Sequence, residues 1–201
     1  MKLYSSPASP FARKARTVIH ELGLADQVEI VDTQGTALAP GTHPTALNPL
    51  SKIPVLERSD GPALYDSRVI TRYLDTLAGG GLYPAAPRLW DTLTLEALAD
   101  GIMEAALLMV YEARLRPEAT RSADWVEAQW GKVASAIAAL ERTWLSHLQG
   151  RTDMGHLALA CALGYVDFRL PDRDWRGTSP GLATWYETAK LRPSLAATTP
   201  S

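Results

Sequence analysis

Apolar residues recur at helical spacing over most of this chain and alternate only in short runs near its start. Lys2 to Ser5 reads as a short strand, and Phe11, Ala15, Val18, Ile19 and Leu22 form the buried stripe of a helix that Gly23 ends. Ser9 followed by Pro10 is a strong helix start, N-cap and then N1. Val28 to Val31 predicts a second strand. Asp32 to Leu47 contains Gly35, Pro40, Gly41 and Pro44 without periodicity and reads as a loop. Val55-Leu56-Glu57 and Ala63-Leu64-Tyr65 flank an Asp60-Gly61 turn signal, which predicts a β-hairpin. Pro54 stands just ahead of it, where a fixed φ and a missing N–H are tolerated. Asp66-Ser67 then opens a helix along Val69, Ile70, Tyr73, Leu74 and Leu77.

Gly79-Gly80-Gly81 with Pro84 and Pro87 is the clearest break in composition and predicts a linker. Beyond it the pattern is all helix. The first long helix, Leu89 to about Arg116, carries Met103, Leu107 and Tyr111 at i, i+4 and i+8, a stripe that by itself marks core more often than a ligand site. The next, Trp125 to about Gln149, carries Val126, Trp130, Val133, Ile137, Leu140, Trp144 and Leu148 on one structural face. Small residues throughout Leu157 to Tyr165 predict a helix packed closely on every side. Ser179-Pro180 repeats the N-cap and N1 device of Ser9-Pro10 and starts a last helix through Leu182, Trp185, Tyr186 and Ala189. The expected organisation is an α/β domain over residues 1–78 and an all-α domain over 88–201.

At 201 residues the chain is long enough for a real core in one domain or two small ones. A formal charge of −2 argues against non-specific nucleic-acid binding, which needs a net basic surface. No apolar run approaches the roughly 20 residues of a membrane span. Met1-Lys2-Leu3-Tyr4-Ser5 enters a strand directly rather than a signal peptide, so the expected location is the cytoplasm. The lone Cys161 forms neither an internal disulfide nor a Cys-x-x-Cys pair and reads as an inert buried hydrophobe. Unless Cys161 itself reacts, any thiol chemistry uses a thiol brought by a ligand. The four histidines, His20, His43, His147 and His156, are scattered, so no metal site is expected. No Gly-rich phosphate loop follows a strand.

Candidate chemistry concentrates between Asn48 and Ser67. A strand edge at Ile53 offers backbone N–H and C=O groups to an extended peptide. The helix start at Asp66-Ser67 offers free N–H groups and a dipole to a carboxylate. A short anionic peptide satisfies both. At Ser9 two readings stand side by side: a plain N-cap, or a hydroxyl that donates to a bound thiolate which the helix dipole also stabilises. Tyr4, Ser5 and Ser6 are further donors, with Tyr4 alternating toward the core. Asp66 and Ser67 also fit a plain helix cap.

Three stretches, Leu3 to Arg16, Asn48 to Ser67 with its Ser-Lys-Ile-Pro-Val-Leu and Tyr-Asp-Ser, and Leu157 to Arg176, resemble the cytosolic glutathione transferases, the last a bacterial branch of them. The resemblance covers essentially the whole chain. It implies a thioredoxin-like N-terminal domain, a helical C-terminal domain, glutathione as co-substrate without a metal, and a homodimer with the helical domains flanking the two-fold axis. It implies a cis Pro54, with Ile53 pairing to the cysteinyl backbone of glutathione, Ser67 holding the γ-glutamyl carboxylate and Asp66 the α-amino group. Phe11 and Lys52 join that binding set; for the glycine carboxylate Lys52 is better placed than His43, which reads as a solvated loop residue. Ser9 falls where relatives carry the catalytic serine or cysteine, and serine favours conjugation by the glutathione thiolate. Met103, Leu107 and Tyr111 line the implied pocket for a small apolar electrophile.

The same resemblance leaves other readings open: a different glutathione-dependent reaction such as isomerisation, dehalogenation or peroxide reduction, or a non-enzymatic glutathione-binding or regulatory protein. Relatives open the helix near residue 153 with a Ser/Thr-x-x-Asp capping box. Here Asp153 and His156 stand at those positions, and a histidine is expected to be the poorer reciprocal acceptor.

Overall fold

The computed structural model describes residues Met1–Ser201 and divides them into two compact units, Met1–Pro84 with Arg192–Ser201, and Ala85–Leu191. In the first unit, β1 (Lys2–Ser5), α1 (Pro10–Glu21) and β2 (Glu29–Asp32) form a parallel β-α-β crossover, Leu3 opposite Ile30. The strand β3 (Val55–Glu57) lies antiparallel on the other side of β1, so the sheet order is β2-β1-β3. Alternation along β1 turns Leu3 and Ser5 into the core and leaves Lys2 outside. The helix α2 (Ser67–Ala78) completes the unit.

The predicted hairpin forms only in part. Leu56 and Leu64 exchange both backbone hydrogen bonds, at 3.0 and 2.9 Å, but Ala63 to Tyr65 does not become a strand. In this register the neighbouring hydrogen-bonded positions would pair Arg58 with Pro62 and Pro54 with Asp66. Both prolines lack the N–H that the ladder needs. The glycine-rich break is likewise more ordered than a linker. Gly79 takes the left-handed conformation (φ 60°) that closes α2, and the Asp75 carboxylate accepts the N–H groups of Leu82 (2.8 Å) and Tyr83 (3.1 Å).

The last ten residues depart from the expected 88–201 boundary, because Arg192–Ser201 belongs to the first unit. The short helix α8 (Pro193–Ala196) is clasped to α1: Arg13 donates to the Leu195 carbonyl (3.2 Å), the hydroxyls of Thr17 and Thr198 meet at 2.9 Å, and Ser194 donates to Glu21 (2.7 Å). The Arg192 guanidinium pairs with the same carboxylate and holds Glu21 below its ordinary range. Buried Leu195 supplies the apolar part of the clasp.

The second unit is helical throughout. It contains α3 (Arg88–Leu115), α4 (Ala123–Ala139), α5 (Leu145–Leu148), α6 (Met154–Arg169) and α7 (Pro180–Ala189). The predicted helix from Trp125 to Gln149 is interrupted: Leu140–Trp144 forms a π-helical turn between α4 and α5. That turn has a task. Glu141 accepts the N–H groups of Gly181 (3.0 Å) and Leu182 (2.7 Å), capping α7 from outside. Ser179, expected to be the cap, makes no side-chain cap bond and its hydroxyl is buried. The small residues of α6 do what their pattern predicts. Met154 through Val166 are all buried, and a Cβ on Gly155 would stand 2.9 Å from Leu95 of α3. No helix is long and apolar enough to cross a membrane.

Candidate functional site

Strand register gathers three backbone features at one end of the sheet. β1 runs out at Ser5 into the turn that carries Ser9, and antiparallel β3 places Val55 opposite Tyr4, so Pro54 and Ile53 lie at that same end. The Leu56–Leu64 bridge reverses the chain again and returns Asp66 and Ser67 there. The sequence reading that groups Ser9, Ile53, Pro54, Asp66 and Ser67 is therefore what the topology assembles within the first unit.

The peptide Ile53–Pro54 is cis, and no hydrogen bond within the chain uses the N–H or C=O of Ile53. Its approach is braced by residues the sequence reading passed over. Buried Asn48 donates to the Lys52 carbonyl (2.9 Å) and accepts the Leu50 N–H (3.0 Å), fixing the turn 48–52. His43 Nδ1 meets the Ser51 carbonyl at 3.0 Å, at a residue held with φ 54°. His43 is thus not a solvated loop side chain. It ties the 36–47 loop to this turn, and the only sequence signal was its position in a Pro/Gly-rich stretch. Lys52 is exposed, with its side chain in solvent.

Asp66 caps α2 by accepting the Arg68 N–H at 3.0 Å, and its second carboxylate oxygen remains available in an exposed residue. The Tyr65–Asp66 peptide is also cis. Ser67, at the first helical position and 2% exposed, keeps its own N–H and hydroxyl unused within the chain while its carbonyl accepts the Thr71 hydroxyl (2.9 Å). An anion at this terminus meets an unpaired N–H and the positive end of a helix dipole.

Ser9 caps α1 with extended backbone (φ −83°, ψ 122°), its Oγ accepting the Ala12 N–H at 3.3 Å. The hydroxyl hydrogen is not used in that bond. No acidic side chain occupies the first turn of α1, and Arg16 braces the preceding turn through the Pro7 carbonyl (3.2 Å). Half-buried Phe11 flanks Ser9 on that first turn. Of the other hydroxyls, that of Tyr4 is engaged on the side of the strand away from the core, against the expected alternation, and that of Ser5 is buried without a partner. Tyr4 donates to Glu57 at 2.7 Å, which with burial pushes its phenol above the ordinary value, and Ser5 faces the core at 1% exposure.

In the helical unit, Met103 is fully buried at 0% exposure and presents no surface to a ligand, so its spacing marks core rather than pocket. Leu107 and Tyr111 on the same helix are partly exposed, and burial raises the Tyr111 phenol.

The expectation of scattered histidines also needs correction. His147 Nε2 lies 3.1 Å and His156 Nδ1 2.7 Å from the Asp153 carboxylate, with possible donor atoms of the trio all within 4.8 Å. Thr92 (2.9 Å) and Arg88 (3.4 Å) donate to the same group. Burial alone would raise the Asp153 carboxyl, but His156, Thr92 and His147 outweigh it and hold it well below the usual carboxylate range. The Asp153 and His156 backbone N–H groups each reach the other's side chain at 3.3 Å. Both contacts fall on one ring nitrogen, and the tautomer sets its role: with a lone pair, Nδ1 accepts the Asp153 N–H and completes the capping box; with a proton, it donates to the carboxylate at 2.7 Å. The carboxylate's contacts gather at the start of α6, while His156 Nε2 is buried without a partner.

Residues 8–77 match the family described as glutathione S-transferase, N-terminal domain, and residues 123–188 the one described as glutathione S-transferase, C-terminal domain. The chain is 33% identical over 207 residues to the Escherichia coli K12 protein named uncharacterized GST-like protein YibF, an alignment covering 100% of this chain and 98% of that one. A crystal structure of a glutathione transferase family member from Pseudomonas fluorescens Pf-5 with bound glutathione superposes with a TM-score of 0.96 at 42% identity, covering 100% and 98% of the two chains. A second structure from that organism, with bound S-(propanoic acid)-glutathione, gives 0.91 at 41% identity over the whole of both chains.

Proposed function

The chain belongs to the glutathione transferase family, and from that premise we propose that it binds glutathione at the carboxyl end of β1, ionises its thiol at Ser9 and joins the sulfur to a small electrophile. The observation that carries this reading is the placement of an unpaired Ile53 backbone, the α2 N-terminus and the Ser9 hydroxyl at one end of a single sheet. The neighbours solved with glutathione and with a glutathione conjugate support it.

In this reading the cysteinyl N–H and C=O of glutathione pair with the C=O and N–H of Ile53, extending the sheet edge by one residue. The γ-glutamyl carboxylate meets the Ser67 N–H and hydroxyl at the helix terminus, and the α-ammonium meets Asp66. Lys52 takes the glycine carboxylate, and Phe11 walls the peptide. A free thiol has a pKa near 8.5 and is mostly protonated at neutral pH. Donation from Ser9, with the positive end of α1, favours the thiolate. The thiolate then forms the sulfur–carbon bond while the electrophile's leaving group departs with the bonding pair, or, at an activated double bond, while the π pair moves to the neighbouring carbon, which takes a proton from water.

We assign residues 1–78 to glutathione binding and the helical residues from 88 onward to the electrophile pocket and dimerisation, with Leu107 and Tyr111 as the pocket residues retained. The homodimer is tested by sedimentation. The chemistry is tested with glutathione and an activated aryl chloride: the expected result is saturable conjugation with stoichiometric chloride release, and Ser67→Ala raises KM for glutathione. Tight glutathione binding without turnover on any electrophile would favour the binding-protein reading.

A further inference from the structure

Two of the chain's four histidines meet on one carboxylate, and glutathione chemistry at Ser9 makes no use of them. His147 lies on the short helix α5, Asp153 is the N-cap of α6 and His156 stands in its first turn, all within the helical unit. The two imidazole rings face each other with centroids 5.1 Å apart and planes inclined by 32°. The Asp153 carboxylate spans their edges, Oδ2 at 3.1 Å from His147 Nε2 and Oδ1 at 2.7 Å from His156 Nδ1. One donor atom from each of the three residues lies within 4.8 Å of the other two.

Closing α6 does not require this whole set. Asp153 and His156 complete the capping box between themselves. His147 comes from another helix and brings a second imidazole nitrogen to a carboxylate that already caps. Two imidazoles and one carboxylate are a donor set that suits zinc and similar ions. The spacing suits them too. Neighbouring donors around an ion with bonds of about 2.0–2.2 Å stand roughly 2.9–3.5 Å apart, close to the two nitrogen–oxygen separations here. The widest pair must come within about 4.2 Å for one ion to reach both donors. His147 can supply that movement, because α5 is four residues long and ends at the Gly150 turn.

Charge and surroundings agree with this use. His156, Thr92 and His147 keep the Asp153 carboxyl ionised against its burial. His156 is 5% exposed with no partner at Nε2, which disfavours its doubly protonated form; a neutral ring with its proton on Nε2 offers the Nδ1 lone pair to a cation. Thr92 (2.9 Å) and Arg88 (3.4 Å) hold the carboxylate from α3, as an outer shell orients a ligating group. Arg88 also donates to the Arg151 carbonyl and is partly exposed, so it can turn toward that turn and solvent as an ion takes over its charge. Trp144 meets His147 edge-on at 5.4 Å and Trp185 stands 6.3 Å from His156, walling the rings on both sides. The His147 side chain, 15% exposed, leaves an approach from solvent where water completes the coordination.

We propose that His147 Nε2, His156 Nδ1 and the Asp153 carboxylate bind one divalent cation of the zinc type, which ties α5 to the start of α6. Each nitrogen gives the ion its lone pair, and a proton held between ring and carboxylate leaves to solvent. The glutathione reading neither requires this site nor depends on it.

The test uses untagged protein stripped by a chelator and titrated with Co²⁺, whose visible absorption reports coordination, then with Zn²⁺ in competition. Wild type is expected to bind one Co²⁺ per chain, to release it to Zn²⁺, and to gain about 5–10 °C in Tm at a hundredfold excess of Zn²⁺ over Kd. His147→Ala leaves the capping box intact and is expected to fold, to lose the cobalt absorption and the Tm response, and to bind Zn²⁺ at least about tenfold more weakly. His20→Ala, at an exposed histidine of α1, is expected to keep all three. Wild type that takes up no Co²⁺ or Zn²⁺ at millimolar concentration overturns the proposal, as does metal binding that survives unchanged in His147→Ala. A Tm lowered by His147→Ala but unresponsive to Zn²⁺ in wild type makes His147 a capping partner alone and overturns it as well.

Discussion

At Ser9 two demands fall on one hydroxyl. Its oxygen accepts the Ala12 N–H at 3.3 Å, and its hydrogen is left to donate. Glycine separates the demands, because at an N-cap it costs only a few tenths of a kcal/mol where alanine costs about 1. Ser9→Gly is expected to keep nearly the wild-type stability, Ser9→Ala to lose about 1 kcal/mol, and both to lose about 10–100-fold in conjugation kcat/KM, as removal of a bond to a charged group implies. Activity that tracks stability across the pair would mean that Ser9 is only a cap. Asp153 offers a second residue-scale check through pH. A carboxyl held below its unfolded value contributes stability that is complete above the unfolded pKa of about 3.9 and fades as pH falls below it toward the folded value. Wild type is therefore expected to exceed Asp153→Asn by about 2–4 kcal/mol at pH 7, in denaturant titrations, with the gap narrowing below about pH 4. A gap constant down to pH 3 contradicts the ionised cap. Residue types were a fair guide where local chemistry decides, as at Ser9-Pro10 and Asp66. They failed where an irregular turn, rather than a helix or strand period, decides which groups a few residues apart meet, as for Asn48 holding the Lys52 turn, His43 at Ser51, and the His147–Asp153–His156 set.

Among elements, helices were legible because their caps and apolar stripes are local, and the departures have identifiable causes. The hairpin stops at one bridge because prolines occupy both flanking hydrogen-bonding positions. The π turn at Leu140–Trp144 leaves no mark in an apolar spacing that already suits a helix, and its purpose, Glu141 capping α7, appears only once those elements meet. The stripe Met103, Leu107, Tyr111 reads as one face, yet the fold buries its first member completely and leaves the others partly open. The close approach of α3 and α6 is the element-scale feature most open to test. A methyl on Gly155 would sit 2.9–3.0 Å from Leu95, so Gly155→Ala must push the helices apart or twist Leu95 off its rotamer. The expected loss is about 1–3 kcal/mol in denaturant unfolding, offset in small part by alanine's better helix propensity. A gain in stability would show that the two helices have slack at this point.

For the whole molecule, the sequence carried the division into an α/β part and a helical part, but not the return of the chain's end. Arg192–Ser201 follows the helical unit in order and belongs to the first, through contacts with α1 that no local pattern announces. The proposed function places glutathione at the sheet end that collects Ser9, Ile53 and Ser67, and its central claim is that glutathione held there is ionised at neutral pH. The direct measurement is the ultraviolet absorbance difference of the thiolate on adding glutathione at pH 7 to wild type and to Ser9→Gly, with binding followed by calorimetry on the same samples. The account predicts a thiolate signal in wild type that is lost in Ser9→Gly while glutathione still binds. Bound glutathione with no thiolate signal, or a signal that survives in Ser9→Gly, contradicts it.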